Sequence, residues 1–353
     1  MTSIGITTTV PIEVLMAAGY RPLDLNNLFI NDPERERLVN LAERAGFPQN
    51  GCTWIKGIYG TVMERGIDTV LCVTTGDCFN TLMLMEVFKL KGLRVIPFAY
   101  PDHPDPILMG KALEVLAQAL GTTLAQAEIV RGNLAEARRL AHELDRLTWQ
   151  EGLVSGGENH LWLVSASDFS GDVSSYEDGL RRLITQARQR PSYGEDMLRP
   201  SQEGLRLAYI GVPPVYAQDL YDYLERNGAR VVFNEIQRQF AMPNPGSCLA
   251  EQYSNYTYPY SVFDRLDDII PELERRRVQG VIHYVQAFCH RGIADIIFRH
   301  RIGLPMLTLE GNADYTLTEH LRTRIEAFLD VLRRYPAPGE SALQALGGFR
   351  ASS

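Results

Sequence analysis

The chain has 353 residues, 45% hydrophobic and 22% charged, with a formal net charge of −8. That balance describes a folded chain long enough for two cores, and it argues against a nucleic-acid-binding surface spread over the whole molecule. The opening MTSIGITTTVPIEVL lacks the charged and apolar regions of a signal peptide, and no stretch approaches about 18 apolar residues, so a cytoplasmic protein without a membrane span is expected.

In chain order, ITTTV reads as a strand that enters the helical pattern IEVLMAAG after Pro11, with Gly19 as the stop. RPLDLNN resumes an extended pattern. Asp32-Pro33-Glu34 reads as a helix start, with a capping carboxylate and proline at the first helical position. The β-branched run DTVLCV (68–73) passes through TTGDC into the helical FNTLMLMEVFKLKG, and LRVIPFAY (93–100) follows as a strand. From about 132 to 192 the pattern is helical, with Leu134, Ala137, Ala141, Leu144 and Leu147 on one stripe. Within it, ENHLWLVSASDF fits a buried helix, although period and propensity do not decide it. Pro191 to Gly204 reads as a linker.

Strand LRLAYIG, helix VPPVYAQDLYDYLERNG and strand ARVVFNE come next, then an irregular aromatic stretch from about 238 to 260. Helix FDRLDDIIPELERRR leads to strand GVIHYVQ, the turn and helix AFCHRGIADIIFRHRIG, and strand LPMLTLEG. Thr316 with Glu319 has the form of a capping box opening the last helix. The alternation predicts an α/β fold of two Rossmann- or flavodoxin-like parallel-sheet domains with additional helices. The expected divisions are an N-terminal α/β domain over 1–131, a helical segment and linker over 132–200, a C-terminal α/β domain over 201–340, and a flexible tail over 341–353.

Five cysteines, at 52, 72, 78, 248 and 289, make a poor disulfide framework in a chain without an export signal. Cys78 and Cys289 each follow a predicted parallel strand, on the face where such sheets hold ligands and where helix starts favour thiolates. Cys52 lies in NGCTWIKG, between glycines that allow close turns. Three such thiolates suit zinc with one open position, or three irons of a 4Fe-4S cluster, or are small core residues. Spacing does not choose among them.

The residues Pro11-Ile12-Glu13, Cys52-Thr53-Trp54-Ile55-Lys56, Thr75-Gly76-Asp77-Cys78, His283, Phe288-Cys289, Gly303-Leu304-Pro305, Glu310 and Leu321 to Phe328 carry a resemblance. In order and content, from Ile4 to about Leu332, the chain resembles the 2-hydroxyacyl-CoA dehydratase and benzoyl-CoA reductase subunit superfamily, in the manner of 2-hydroxyglutaryl-CoA dehydratase D-components. The resemblance implies an oxygen-sensitive iron–sulfur subunit in which Cys52, Cys78 and Cys289 ligate a 4Fe-4S cluster. It further implies electron-coupled dehydration or reduction of an acyl-CoA thioester, hence a dehydratase-like lyase or a related oxidoreductase. Some relatives carry a double-cubane 8Fe-9S cluster and reduce small molecules. A non-catalytic electron-transfer or scaffold subunit is the other alternative. The implied partners are a homologous subunit, in a homo- or heterodimer, and a separate ATP-dependent iron–sulfur activator. No nucleic acid and no membrane is implied. One departure is local: Asp77 precedes Cys78, where the family has Cys-Asp.

Glu13, near the first strand–helix junction, and Glu310, closing a strand, are candidate catalytic residues. His283 is the third, inside a strand but near Cys289 and with an imidazole that titrates in the useful range; a hydrogen-bonded core histidine is its other reading. Cys248, in NPGSCL, is a possible further ligand, whereas Cys72 lies inside an apolar strand and reads as core. Lys56 reads most simply as solvated, and Arg275 to Arg277 as complementing a helix dipole. Tyr253, Tyr256, Tyr258 and Tyr260 line a pocket, make an interface or cover a core edge. There is no G-x-x-x-x-G-K-S/T loop, so ATP hydrolysis is expected in a partner.

Overall fold

The computed structural model describes residues 2–190 and 204–335. The first sheet holds β1 (Thr2–Ile6), β2 (Tyr20–Asp24), β3 (Thr69–Thr75) and β4 (Arg94–Ala99). The second holds β5 (Leu205–Gly211), β6 (Ala229–Asn234), β7 (Gly280–Gln286) and β8 (Met306–Gly311). Both are four-stranded and wholly parallel, in the same order, β2-β1-β3-β4 and β6-β5-β7-β8. Apolar clusters cover both faces of each sheet, as parallel strands require. The protein is therefore an α/β fold with two parallel-sheet units, as the alternation predicts. Among the described residues no single helix is long and apolar enough to cross a membrane. Residues 191–203 of the expected linker and the tail from 341 lie outside the described residues.

Several local expectations shift. The first strand ends at Ile6, so Thr7 to Thr9 leave the sheet despite their β-branched side chains. Ile4 and Ile6 fill the core and Thr7 and Thr9 are buried beside them, while Thr7 Oγ1 accepts from the Val73 amide at 3.2 Å and closes the strand end. The last helix, Glu319–Arg334, is capped by Thr318 rather than Thr316. The undecided segment forms the helix Gly156–Val164, opened by a capping box of Ser155 and Glu158. The tyrosines at 253, 256, 258 and 260 are buried within the core of the first sheet and cover its edge, and Tyr258 also lines a pocket.

Arg276 corrects the dipole reading. It is fully buried and donates to both Asp145 oxygens at 2.9 and 2.6 Å, to Glu272 at 2.7 Å and to the Val232 carbonyl at 2.8 Å. It thereby ties the helix Ala135–Arg146 to the second sheet.

At the end of β2 two carboxyls meet. The Asp24 amide donates to Asp168 Oδ2 at 2.7 Å, and Ser167 Oγ donates to Asp24 Oδ2 at 2.6 Å. Burial first, then the Asp24 charge, pushes Asp168 from 3.8 up to about 7. The folded state thus holds a proton that the unfolded chain gives up. Stability is full below pH 4 on this account and falls as pH rises to 7, by at most about 1.4 kcal/mol per pH unit. Asp168 accepts from the Asp24 and Ser170 amides through separate oxygens, and Asp168→Asn keeps an acceptor for only one of them. The variant should be less stable overall, but without the titrating carboxyl its urea denaturation should show a flatter decline between those pH values. An unchanged decline would assign the proton elsewhere.

Candidate functional site

In a sheet ordered β2-β1-β3-β4 the chain leaves β1 to one side and returns on the other, which opens a crevice between the ends of β1 and β3. The same reversal occurs between β5 and β7. The two crevices share one cavity of about 490 Å³, to which Thr7 to Thr9, Asp77 and Cys78 contribute from the first sheet and Val212 to Tyr216, Gln286 and Cys289 from the second. Gly211 makes the second crevice feasible. Its φ is +99°, and a Cβ there would sit 2.3 Å from the Tyr284 carbonyl oxygen.

Cys52, Cys78 and Cys289 all line this cavity. Each is the residue capping a helical segment: Thr53–Glu64, Phe79–Leu90, and the turn His290–Ile293 that runs into Ala294–Arg301. None closes a geometric side-chain cap, but amides at the segment starts bear on each sulfur: Trp54 and Ile55 on Cys52, Asn80 on Cys78, Arg291 and Gly292 on Cys289. Burial outweighs them and raises all three thiols, Cys78 to about 12 with help from Asp77. Cys52 and Cys289 also repel Cys78, so the three sulfurs feel one another's charge. Thiols so placed stay protonated until a cation displaces the protons.

The segment from Gln286 to Arg291 joins the three cysteine turns. Trp54 Nε1 donates to Gln286 Oε1 at 3.0 Å, Tyr284 OH donates to the same oxygen at 2.9 Å, and Gln286 Nε2 donates to Asn312 Oδ1 at 3.2 Å. Asn312 Oδ1 also accepts from the amide and hydroxyl of Thr53, next to Cys52. The Cys289 amide donates to the Gln286 carbonyl at 3.1 Å. On the other side Arg291 Nη2 donates to the Gly76 carbonyl at 3.1 Å, two residues before Cys78.

The other candidates are placed differently. Glu13 is fully buried outside the cavity lining, where it accepts from Arg138 at 2.5 Å, Gln252 at 2.8 Å and Tyr253 at 2.6 Å. Burial pushes its carboxyl up, but the Arg138 charge and these bonds outweigh burial and hold it below the ordinary range. Glu310 is exposed and also outside the lining. His283 is buried behind Cys289, in a small adjoining cavity, with Nδ1 on Asp295 at 2.7 Å; burial lowers its pKa against the pull of Asp295. Cys248 caps the short helix Leu249–Ser254 away from the cavity, and Cys72 is buried within β3. Lys56 is not solvated: it is buried on Glu43 at 2.7 Å and the Gln49 carbonyl at 2.9 Å.

Sequence reasoning missed Arg291, Gln286, Trp54 and His160 as cavity residues. His160 is buried, with Nδ1 against Tyr221 and Gln237, and burial lowers it to about 3, so it stays neutral.

The donor set is three soft thiols. Among the described residues no group of three His, Cys, Asp or Glu side chains is arranged to hold a single metal ion. A cubane asks for something different, since each thiolate binds its own iron and the ligands need share only a cavity. Arg291 Nε is buried without a hydrogen-bond partner among the described residues, a donor left over for an anionic group.

No curated protein matches the chain significantly. Over residues 7–332, however, the chain matches the family described as 2-hydroxyglutaryl-CoA dehydratase, D-component, and it belongs to that family.

Proposed function

We propose that the chain is the iron–sulfur subunit of an acyl-CoA dehydratase or related reductase, with Cys52, Cys78 and Cys289 as ligands of a 4Fe-4S cluster. The observation that carries this reading is that cysteines from three separate stretches line one cavity at paired strand ends. Bound there, such a cluster would supply single electrons at low potential to a substrate held beside it.

The protein's own residues have four tasks. The amides at the three helix starts reduce the cost of a thiolate at each sulfur, against the burial that raises it. Gln286 and Asn312 hold Thr53 and Trp54, and therefore Cys52, against the second sheet. Ile55, Ile58, Val164, Val212, Ile236 and Phe240 give the cavity apolar walls that exclude water and suit an acyl chain. His160, neutral at ordinary pH, offers a hydrogen-bonding group among those walls without adding charge.

A homologous subunit and an ATP-hydrolysing activator complete the proposal. Phe79, Phe288, Ile293 and Ile296 are between 60 and 72% exposed on the segments that carry Cys78 and Cys289, an apolar rim suited to a protein partner. Phe79 meets His290 edge-on at 5.4 Å, so the rim continues across both sheets. All five cysteines are free, in keeping with a reducing cytoplasm.

The test is electron paramagnetic resonance of anaerobically purified, dithionite-reduced protein titrated with acyl-CoAs. A cluster signal that changes with one of them is expected. A signal indifferent to every acyl-CoA would favour an electron relay or scaffold instead.

A further inference from the structure

The three-cysteine site has a charge problem that one side chain is placed to solve. Burying thiolates and an anionic group together is costly unless a cation accompanies them. Asp77 adds to the difficulty, since it lies beside Cys78 and raises its pKa. Lys56 does not help much, because its ammonium is already spent on Glu43 at 2.7 Å.

Arg291 stands two residues beyond Cys289 and lines the same cavity. Nη2 donates to the Gly76 carbonyl at 3.1 Å, and the guanidinium lies over the Tyr258 ring, 4.3 Å from its centroid. These two contacts fix the plane of the group. They leave Nε buried and without a partner, and among the described residues Arg291 joins no ion pair. Its charge nevertheless bears on Asp77, Cys289 and Tyr258 together. An arginine held rigid near Asp77, in no ion pair among the described residues and with a spare buried donor, suits an anionic group bound in the cavity.

We infer that Arg291 is a positioning residue that supplies a fixed positive charge and an N–H donor to the anionic cluster held by Cys52, Cys78 and Cys289, while it pins the Cys78 turn to the Cys289 turn. The inference rests on the iron–sulfur reading above. A nearby cation stabilises the more negative, reduced form, so Arg291 makes the site easier to reduce.

The experiment uses the full chain, reconstituted anaerobically with ferrous iron and sulfide, as wild type, Arg291→Lys and Arg291→Met. Iron per chain, the EPR line shape, the midpoint of a redox titration and the thermal midpoint are measured for each. Arg291→Met should shift the redox midpoint to a more negative potential or lose iron, with its thermal midpoint close to wild type. Arg291→Lys, which keeps the charge, should stay nearer to wild type. A full complement of iron with an unchanged potential and line shape in Arg291→Met would overturn the inference, as would an equal shift in both variants. Should Arg291→Met not fold, Arg291→Gln takes its place in the same comparison. A wild type that binds no iron would instead remove the iron–sulfur reading, and this inference with it.

Discussion

Glu13→Gln is expected to lower the unfolding free energy by about 3–5 kcal/mol, the usual consequence of removing one partner from a buried ion pair. Glu13 is 0% exposed and Arg138 only 5%, so neither water nor another carboxylate is at hand to compensate the guanidinium. Gln252 already bridges the two partners, donating to Glu13 and accepting from Arg138, and Tyr253 donates to Glu13 as well. A neutral amide would accept some of these bonds, but it would leave the Arg138 charge buried and unpaired. Because the network joins the helix Ile12–Ala17 to Ala135–Arg146 and Leu249–Ser254, the loss should register as global unfolding. Urea denaturation of the variant measures it. Wild-type stability combined with lost activity would return Glu13 to the chemistry.

Gly76→Ala should be nearly as damaging, and its damage should reach the cysteine site. Gly76 has φ +93°, where a side chain costs about 1–3 kcal/mol. An added Cβ would also lie 2.8 Å from Pro259 Cβ and 2.9 Å from Tyr100 Cβ. Neither is the free end of a flexible chain, so relief must come from movement of the turn, at a further cost of about 1–3 kcal/mol. That turn carries Cys78 and presents the carbonyl that Arg291 holds. Reduced stability together with reduced iron retention is the expected pair of results, measured by denaturation and by iron content of anaerobic protein. Loss of stability with iron retained in full would separate the turn from the metal site.

The parallel sheets were legible because each strand announces itself locally. Apolar, β-branched runs such as TVLCV end in polar, glycine-containing turns, and helical periodicity follows. Cys78 and Cys289 were legible for the same reason, since their place beyond a strand follows from that pattern. What brings Cys52 to them was not. It depends on strand order, and on Asn312 and Gln286 meeting Thr53 and Trp54 from 259 and 232 residues away.

Pairing at a distance explains the other misreadings. Arg276 resembled a helix-end cation because Asp145, 131 residues earlier, could not be seen as its partner. Nothing local marks Arg291, because the Gly76 carbonyl it holds lies 215 residues upstream. Lys56 looked solvated because its partner Glu43 belongs to a different helix. The first strand ends before its threonines despite their β-branched preference, because the Thr7 hydroxyl takes up the Val73 amide, 66 residues away, at the strand end.

The most direct measurement is iron and acid-labile sulfide per chain in protein purified without exposure to oxygen, for the wild type and for Cys52→Ala, Cys78→Ala and Cys289→Ala, with Cys248→Ala as the control. About four irons and four sulfides are expected in the wild type and the control, and a loss of both in each of the other three variants. A wild type devoid of iron under those conditions, or iron retained equally in every variant, would contradict the account.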